Sequence, residues 1–146
     1  MAVTFEEYDQ RVADAMLGDS EQAGGLPSYL GIRTVEVGPG RMVAELDVRT
    51  ELLNPFGAAH GGVMAALVDH VLGSVLYPVI ARGRWAATTE FKLNLLAAVR
   101  GGRLVAASRI VALSRRTAVV QIEVTNDDRL ACVAQGTVLI ADPRTP

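Results

Sequence analysis

Apolar and polar positions alternate through much of this chain, most cleanly between Thr117 and Thr125. There Ala118, Val120, Ile122 and Val124 fall on one side, while Thr117, Gln121, Glu123 and Thr125 fall on the other. A period of two predicts a half-buried strand. Trp85 to Ala97, Arg103 to Leu113 and Leu130 to Ala141 read the same way. Arg100-Gly101-Gly102, Ser114-Arg115-Arg116 and Asn126-Asp127-Asp128 supply the turns of an antiparallel meander. Earlier in the chain Met42, Ala44, Leu46 and Val48 alternate with Arg41, Val43, Glu45, Asp47 and Arg49. Gly31 to Val37 is the expected hairpin partner across Gly38-Pro39-Gly40.

Between these strand groups the pattern changes. Gly61 to Tyr77 is rich in Ala, Leu, Val and Met and is stopped by Pro78, which predicts a helix. Its apolar residues lie almost all the way round, the mark of a helix enclosed on every side. Thr4-Phe5-Glu6-Glu7 has the form of a capping box and predicts a short helix from there to about Leu17, after which Gly24, Gly25 and Pro27 break the pattern. The simplest architecture is α+β, with one long central helix wrapped by a curved antiparallel sheet and a short helix ahead of it. Residues 1–25 form a helix and connector, and residues 26–146 form the main domain.

Composition narrows the class. The 146 residues suit one core, and a formal charge of -2 with half the residues apolar argues against disorder and against a nucleic-acid footprint. No secretory pattern opens the sequence, and Asp69, His70 and Pro78 interrupt the longest apolar run, so neither a leader nor a membrane span is expected. Cys132 is the only cysteine and reads as a small core residue in a reducing, cytoplasmic compartment. Lys92 is the only lysine.

Within the central helix Asp69 needs an explanation, because an unpaired buried carboxylate costs several kcal/mol. It could be a structural acid paired with an arginine or His70, or one that simply faces a solvated seam. The helix start suggests chemistry instead. Asn54-Pro55-Phe56-Gly57-Ala58-Ala59-His60 delivers Gly61 and Gly62 to the first turn, where backbone N–H groups lack internal partners and the dipole is positive. Glycine lets another molecule's oxygen approach those donors, as an oxyanion site requires. Gly61 and Asp69 are eight residues apart, roughly 12 Å along a helix, too far for one reacting group to touch both. Cooperation between them requires two chains related by a twofold axis.

These residues resemble the PaaI-like hotdog-fold acyl-CoA thioesterases. Asn54, Gly57, His60-Gly61-Gly62, Leu67 and Asp69 stand at that family's spacing, within a match covering about Leu26 to Ala141. The resemblance implies hydrolysis of an acyl-CoA, aryl or medium-chain, to a free acid and CoA. It assigns the carbonyl-polarising N–H to Gly61, a second polarising or positioning role to Asn54, and the general base or nucleophile to Asp69 of the partner subunit. A water-orienting hydroxyl on the following strand falls to Thr88, with Thr89 the neighbouring alternative. His60 is expected to shape the helix start through hydrogen bonds, and His70 to be a packed or interface residue.

Coenzyme A would enter as part of the substrate, with Arg115, Arg116, Arg82 and Arg84 as candidates for its phosphates. No zinc spacing and no Gly-rich phosphate loop is visible, so no metal and no separate cofactor is expected. The partners expected are the acyl-CoA and a second copy of the chain, in a homodimer with shared sites whose dimers pair further. Two rivals stand beside this reading. One is an acyl-thioester hydratase or dehydratase on the same fold, and the other is a binding protein for acyl-CoA that does not turn it over.

Overall fold

The computed structural model describes residues 3–19 and 24–143. Its elements are α1 (Gln10–Met16), a two-residue β1 (Gly18–Asp19), α2 (Gly25–Leu30), β2 (Arg33–Gly38), β3 (Arg41–Asp47), α3 (Gly61–Ser74), β4 (Trp85–Leu95), β5 (Arg103–Leu113), β6 (Thr117–Asn126) and β7 (Arg129–Ala141). All strand pairs are antiparallel, in the order β1-β2-β3-β5-β6-β7-β4. The six long strands curve around α3, which is the hotdog arrangement that the resemblance implied.

Strand alternation sets the core. Met42, Ala44 and Leu46 of β3, Leu104 and Ala106 of β5, Val120, Ile122 and Val124 of β6, and Val138 of β7 face inward and are buried. They meet Val63, Met64, Leu67, Val68, Val71 and Leu72 of α3. Ser108, buried on this side of β5, donates its Oγ hydroxyl to the Met42 carbonyl at 3.2 Å. Gly136 sets how closely α3 approaches β7. A Cβ there would lie 2.7 Å from the Glu90 carbonyl oxygen and 2.8 Å from Leu72 Cδ2.

The second-half strands do not form a simple meander. β4 lies at the far edge beside β7, and β5 pairs with β3. Sequence neighbours usually pair, but residues 96–102 cross the end of the sheet beside the start of α3. Leu96 N–H donates to the Ala131 carbonyl at 2.8 Å, Ala59 N–H donates to the Val99 carbonyl at 2.6 Å, and Val99 is buried. β4 is thereby left with one unpaired edge.

Three helix expectations are corrected. The first helix starts at Gln10, not at Thr4. Asp9 caps it by accepting from Arg11 N–H and Val12 N–H, while the Phe5 ring covers Gly40 and holds the preceding segment across the β2–β3 turn. The Gly24-to-Pro27 break is instead the start of a helix, α2, capped at Gly24 and with Pro27 in its first turn, where a missing N–H costs nothing. α3 ends at Ser74, and Pro78 sits in a separate 3₁₀ turn, Tyr77–Val79.

α3 is also not enclosed on every side. Val63, Met64, Leu67, Val68, Val71 and Leu72 are buried, yet Asp69 is exposed and Ala66, His70, Gly73 and Ser74 are half-buried. A single sheet covers one face of a helix and leaves the other open. By length and apolar content alone the Gly61–Val79 stretch is long and apolar enough to cross a membrane, yet more than half of it is buried inside the fold. Its buried stripe against the sheet accounts for that apolarity.

Candidate active site

The loop before α3 is built by Asn54. Its Oδ1 accepts from Phe56 N–H at 2.9 Å and Ala58 N–H at 3.2 Å, and its backbone N–H donates to the Ala58 carbonyl at 2.7 Å. Gly57 closes the turn at φ +76, a left-handed conformation that glycine adopts without strain. Arg100 Nη1 donates to the Phe56 carbonyl at 3.2 Å. The Asn54 carbonyl-type oxygen is therefore spent on the loop, and only its amide NH₂ remains for other work.

His60 is the N-cap of α3. Its Nδ1 accepts from Gly62 N–H at 2.9 Å, so the proton of a neutral ring sits on Nε2. Val63 N–H and Met64 N–H both turn back to the His60 carbonyl, at 2.9 and 3.4 Å. Of the first-turn donors only Gly61 N–H has no hydrogen bond among the described residues. Gly62 is tightly placed, since a Cβ there would sit 3.1 Å from His60 Nδ1 and the ring would have to give by a few tenths of an ångström. A Cβ on Gly61 would sit 3.3 Å from Leu95 Cδ1.

Eight residues along the same helix, Asp69 opens onto a groove of about 530 Å³. Ala66, His70, Gly73 and Ser74 continue its helical wall, Tyr77 closes that wall, and Ala86 and Thr88 of β4 form its floor. Opposite stand Leu26, Pro27 and Leu30 of α2, with Ile32. The bulge between Thr88 and Glu90 separates the two candidate threonines. Thr89 Oγ1 is turned away and donates to the Thr137 carbonyl at 3.0 Å. Thr88 faces the groove, its Oγ1 3.9 Å from where a Gly73 Cβ would lie. A bulge is a common means of re-aiming a side chain.

Asp69, Thr88 and Gly73 are thus brought together, whereas Asn54, His60 and Gly61 gather at the other end of α3. His70, expected to be a packed or interface residue, lines the groove with Asp69. Burial pulls its pKa below the ordinary histidine value, and the Asp69 carboxylate offsets this in part. Ser74 and Tyr77 were not singled out from sequence. Their spacing of four and seven residues from His70 places all three on one stripe, a signal that was present but mute until the open face of α3 was known.

None of the four arginines lines this groove. Arg82 pairs with Asp9 at 2.7 Å and pulls that carboxyl below its usual range. Arg84 pairs with Asp142 at 2.7 Å and donates to the Arg115 and Ile140 carbonyls, which pins the β5–β6 turn to the end of β7. Arg115 and Arg116 stand in that turn without an ion pair among the described residues. Cys132 is buried, and burial pushes its thiol pKa up.

Residues 56–133 match the thioesterase superfamily model. The chain is 28% identical over 121 residues to the 1,4-dihydroxy-2-naphthoyl-CoA hydrolase of Listeria monocytogenes, covering 82% of this chain and 98% of that protein. A solved thioesterase from Pseudomonas aeruginosa superposes with a TM-score of 0.81 at 25% identity, covering 95% of this chain and 99% of the other. The phenylacetic acid degradation protein PaaI of Thermus thermophilus superposes with a TM-score of 0.70 at 29% identity, covering 76% and 94%. This chain belongs to the thioesterase superfamily, in its hotdog-fold, PaaI-like branch, and is a thioester hydrolase.

Proposed function

We propose that the protein hydrolyses an acyl-CoA, with an aryl or medium-chain acyl group, to the free acid and CoA. The carrying observation is the division of α3 into two chemical ends: a Gly61 N–H at its positive tip, unpaired among the described residues, and an open carboxylate, Asp69, eight residues on. The N–H that polarises a thioester carbonyl at the first must come from a different chain than the carboxylate that attacks the carbonyl or activates water. Two copies related by a twofold axis supply two such sites. The unpaired edge of β4, whose Thr88 lies on the groove floor, is a surface along which a second sheet could continue.

In this reading Gly61 N–H takes the developing oxyanion, with the Asn54 amide beside it, and His60 holds Gly62 so that Gly61 alone is presented. Asp69 of the other subunit acts as general base or as nucleophile, and Thr88 orients the water. Arg115 and Arg116, which make no ion pair among the described residues, are the arginines left to meet the CoA phosphates, although neither lines the groove beside Asp69. The reaction consumes only acyl-CoA and water and needs no metal. A lone buried Cys132 suits a cytoplasmic location.

Thiol release measured over aryl-acetyl, benzoyl and straight-chain acyl-CoAs, beside an Asp69→Asn control, tests the reading. Turnover of at least one series that collapses in the control is the expected result. Undiminished turnover in the control would remove Asp69 from the chemistry.

A further inference from the structure

The wall of the groove opposite Asp69 is lightly anchored. α2 is six residues long, too short to hold its shape alone, and its N-cap, Gly24, supplies no side-chain hydrogen bond. Leu30 is its one buried residue, while Leu26 is 57% exposed and Tyr29 66%. Leu26, Pro27 and Leu30 nevertheless line the groove across from α3. Something outside the helix must set their distance from Asp69.

Arg49 does so. The last four carbonyls of a helix lack partners inside it. Here Gly31 N–H and Ile32 N–H take the Ser28 and Pro27 carbonyls, both at 3.0 Å, and the Arg49 guanidinium takes the other two. Its Nη1 donates to the Leu30 carbonyl at 3.1 Å and its Nη2 to the Tyr29 carbonyl at 2.6 Å. The same group lies 5.3 Å from the centre of the Tyr29 ring, within cation–π range. Its ion pair with Glu51 is long, at 3.9 Å. A planar cation with two donors is well matched to the negative end of a helix.

Arg49 also stands where the chain leaves β3 for the loop that carries Gly61. That link runs through backbone: the Arg49 carbonyl accepts from Leu52 N–H at 3.0 Å, and the Leu52 carbonyl accepts from His60 N–H at 2.9 Å. Replacing the side chain leaves those bonds in place and releases α2 alone.

We propose that Arg49 is a positioning residue that sets the width of the groove by fixing α2, and so governs how tightly the far end of an acyl group is held. The proposal rests on the thioesterase reading of the same groove and adds a specificity determinant that does not itself line it. An acyl group too short to reach α2 should not feel the loss of Arg49. A longer one loses apolar contact with Leu26, Pro27 and Leu30 in the ground and transition states alike, which raises KM more than it lowers kcat.

Arg49→Ala should raise KM for octanoyl-CoA about tenfold and lower kcat no more than about twofold, with a much smaller change in KM for acetyl-CoA. Arg49→Lys keeps the charge without the two-pronged donor and should fall between. Tyr29→Leu, which removes the stacked ring and leaves both carbonyls, should give a smaller shift in the same direction. A merely structural role would reduce the folded fraction and scale turnover of both substrates alike, leaving the octanoyl-to-acetyl ratio of KM at its wild-type value.

Non-hydrolysable S-octyl-CoA and S-ethyl-CoA thioethers, titrated by calorimetry, give the same comparison as dissociation constants independent of turnover. Weakened binding of the octyl thioether alone in Arg49→Ala, with no acyl-CoA hydrolysed by the wild type, would sink the hydrolase reading and leave this proposal standing. An octyl-to-ethyl ratio that is the same in wild type and folded Arg49→Ala would overturn the proposal and leave the hydrolase reading intact. Should Arg49→Ala fail to fold, Arg49→Lys and Tyr29→Leu decide by the same ratio.

Discussion

His60 Nδ1 accepts the Gly62 N–H at 2.9 Å, and this single bond decides which glycine of the pair is offered to a ligand. Gly62 is spent as part of the cap, so Gly61 is the donor left pointing outward at the positive end of α3.

Removing that cap should therefore cost both stability and activity. His60→Ala is expected to lower unfolding free energy by about 1 kcal/mol, the usual loss of an N-cap, and to lower turnover as well. Asn is a strong N-cap, so His60→Asn should recover most of the stability. Urea denaturation of the two variants checks this.

Asp69→Asn should lower turnover at least about a hundredfold, the lower bound usual for general acid–base groups. Its unfolding midpoint should stay close to the wild type, because Asp69 is exposed and enters no ion pair among the described residues. Steady-state kinetics and denaturation on the same preparation make the comparison.

Gly61→Pro is expected to remove one N–H while preserving the helix, since proline suits the first helical position. Each of Gly61→Pro and Asp69→Asn should be nearly inactive alone. Subunit exchange between them should restore part of the activity, because half of the sites in each heterodimer draw both groups from unmutated positions. Exchanged heterodimers, verified by mass, that stay inactive would count against shared sites.

Gly136→Ala should destabilise the fold by roughly 1–3 kcal/mol, the range of overpacking. The added Cβ meets the Glu90 backbone and Leu72 at distances a side chain cannot share. Thermal or urea unfolding reads this directly, and the same displacement of α3 should reduce activity.

Stability should fall as pH drops below the ordinary histidine value of 6.5. The fold holds His70 lower than that, so between the two values the unfolded chain binds more protons than the folded one, and stability rises with pH. Above about 6.5 this contribution is complete. Asp9 and Asp47 act in a separate, more acidic window. Their pKa values lie below 3.8 in the fold, chiefly through hydrogen bonds from Arg82 and Arg103, so the stability they supply disappears as pH falls below that value. Denaturation curves from about pH 5 to 8, compared with His70→Leu, isolate the histidine part.

Much of this was legible in the residues alone because it depends on short-range physics. The bounds of β5 matched expectation residue for residue, and those of β6 and β7 did so to within one residue. Period-two patterning and turn chemistry act between near neighbours. The start of α3 at Gly61, and the impossibility of one chain placing both Gly61 and Asp69 on one thioester, followed from helix rise.

What lies beyond was decided by contacts between residues far apart in the chain. β4 leaves its sequence neighbour for β7 because the 96–102 crossing is held at Ala131 and Ala59. α1 begins late because Phe5 is drawn onto Gly40. Arg82 and Arg84 are claimed by Asp9 and Asp142, more than fifty residues away in each case. The open face of α3, which turns His70, Ser74 and Tyr77 from presumed core into a groove wall, exists only because one sheet can wrap one side of a helix. Periodicity tells which residues share a face, and only packing tells what that face meets.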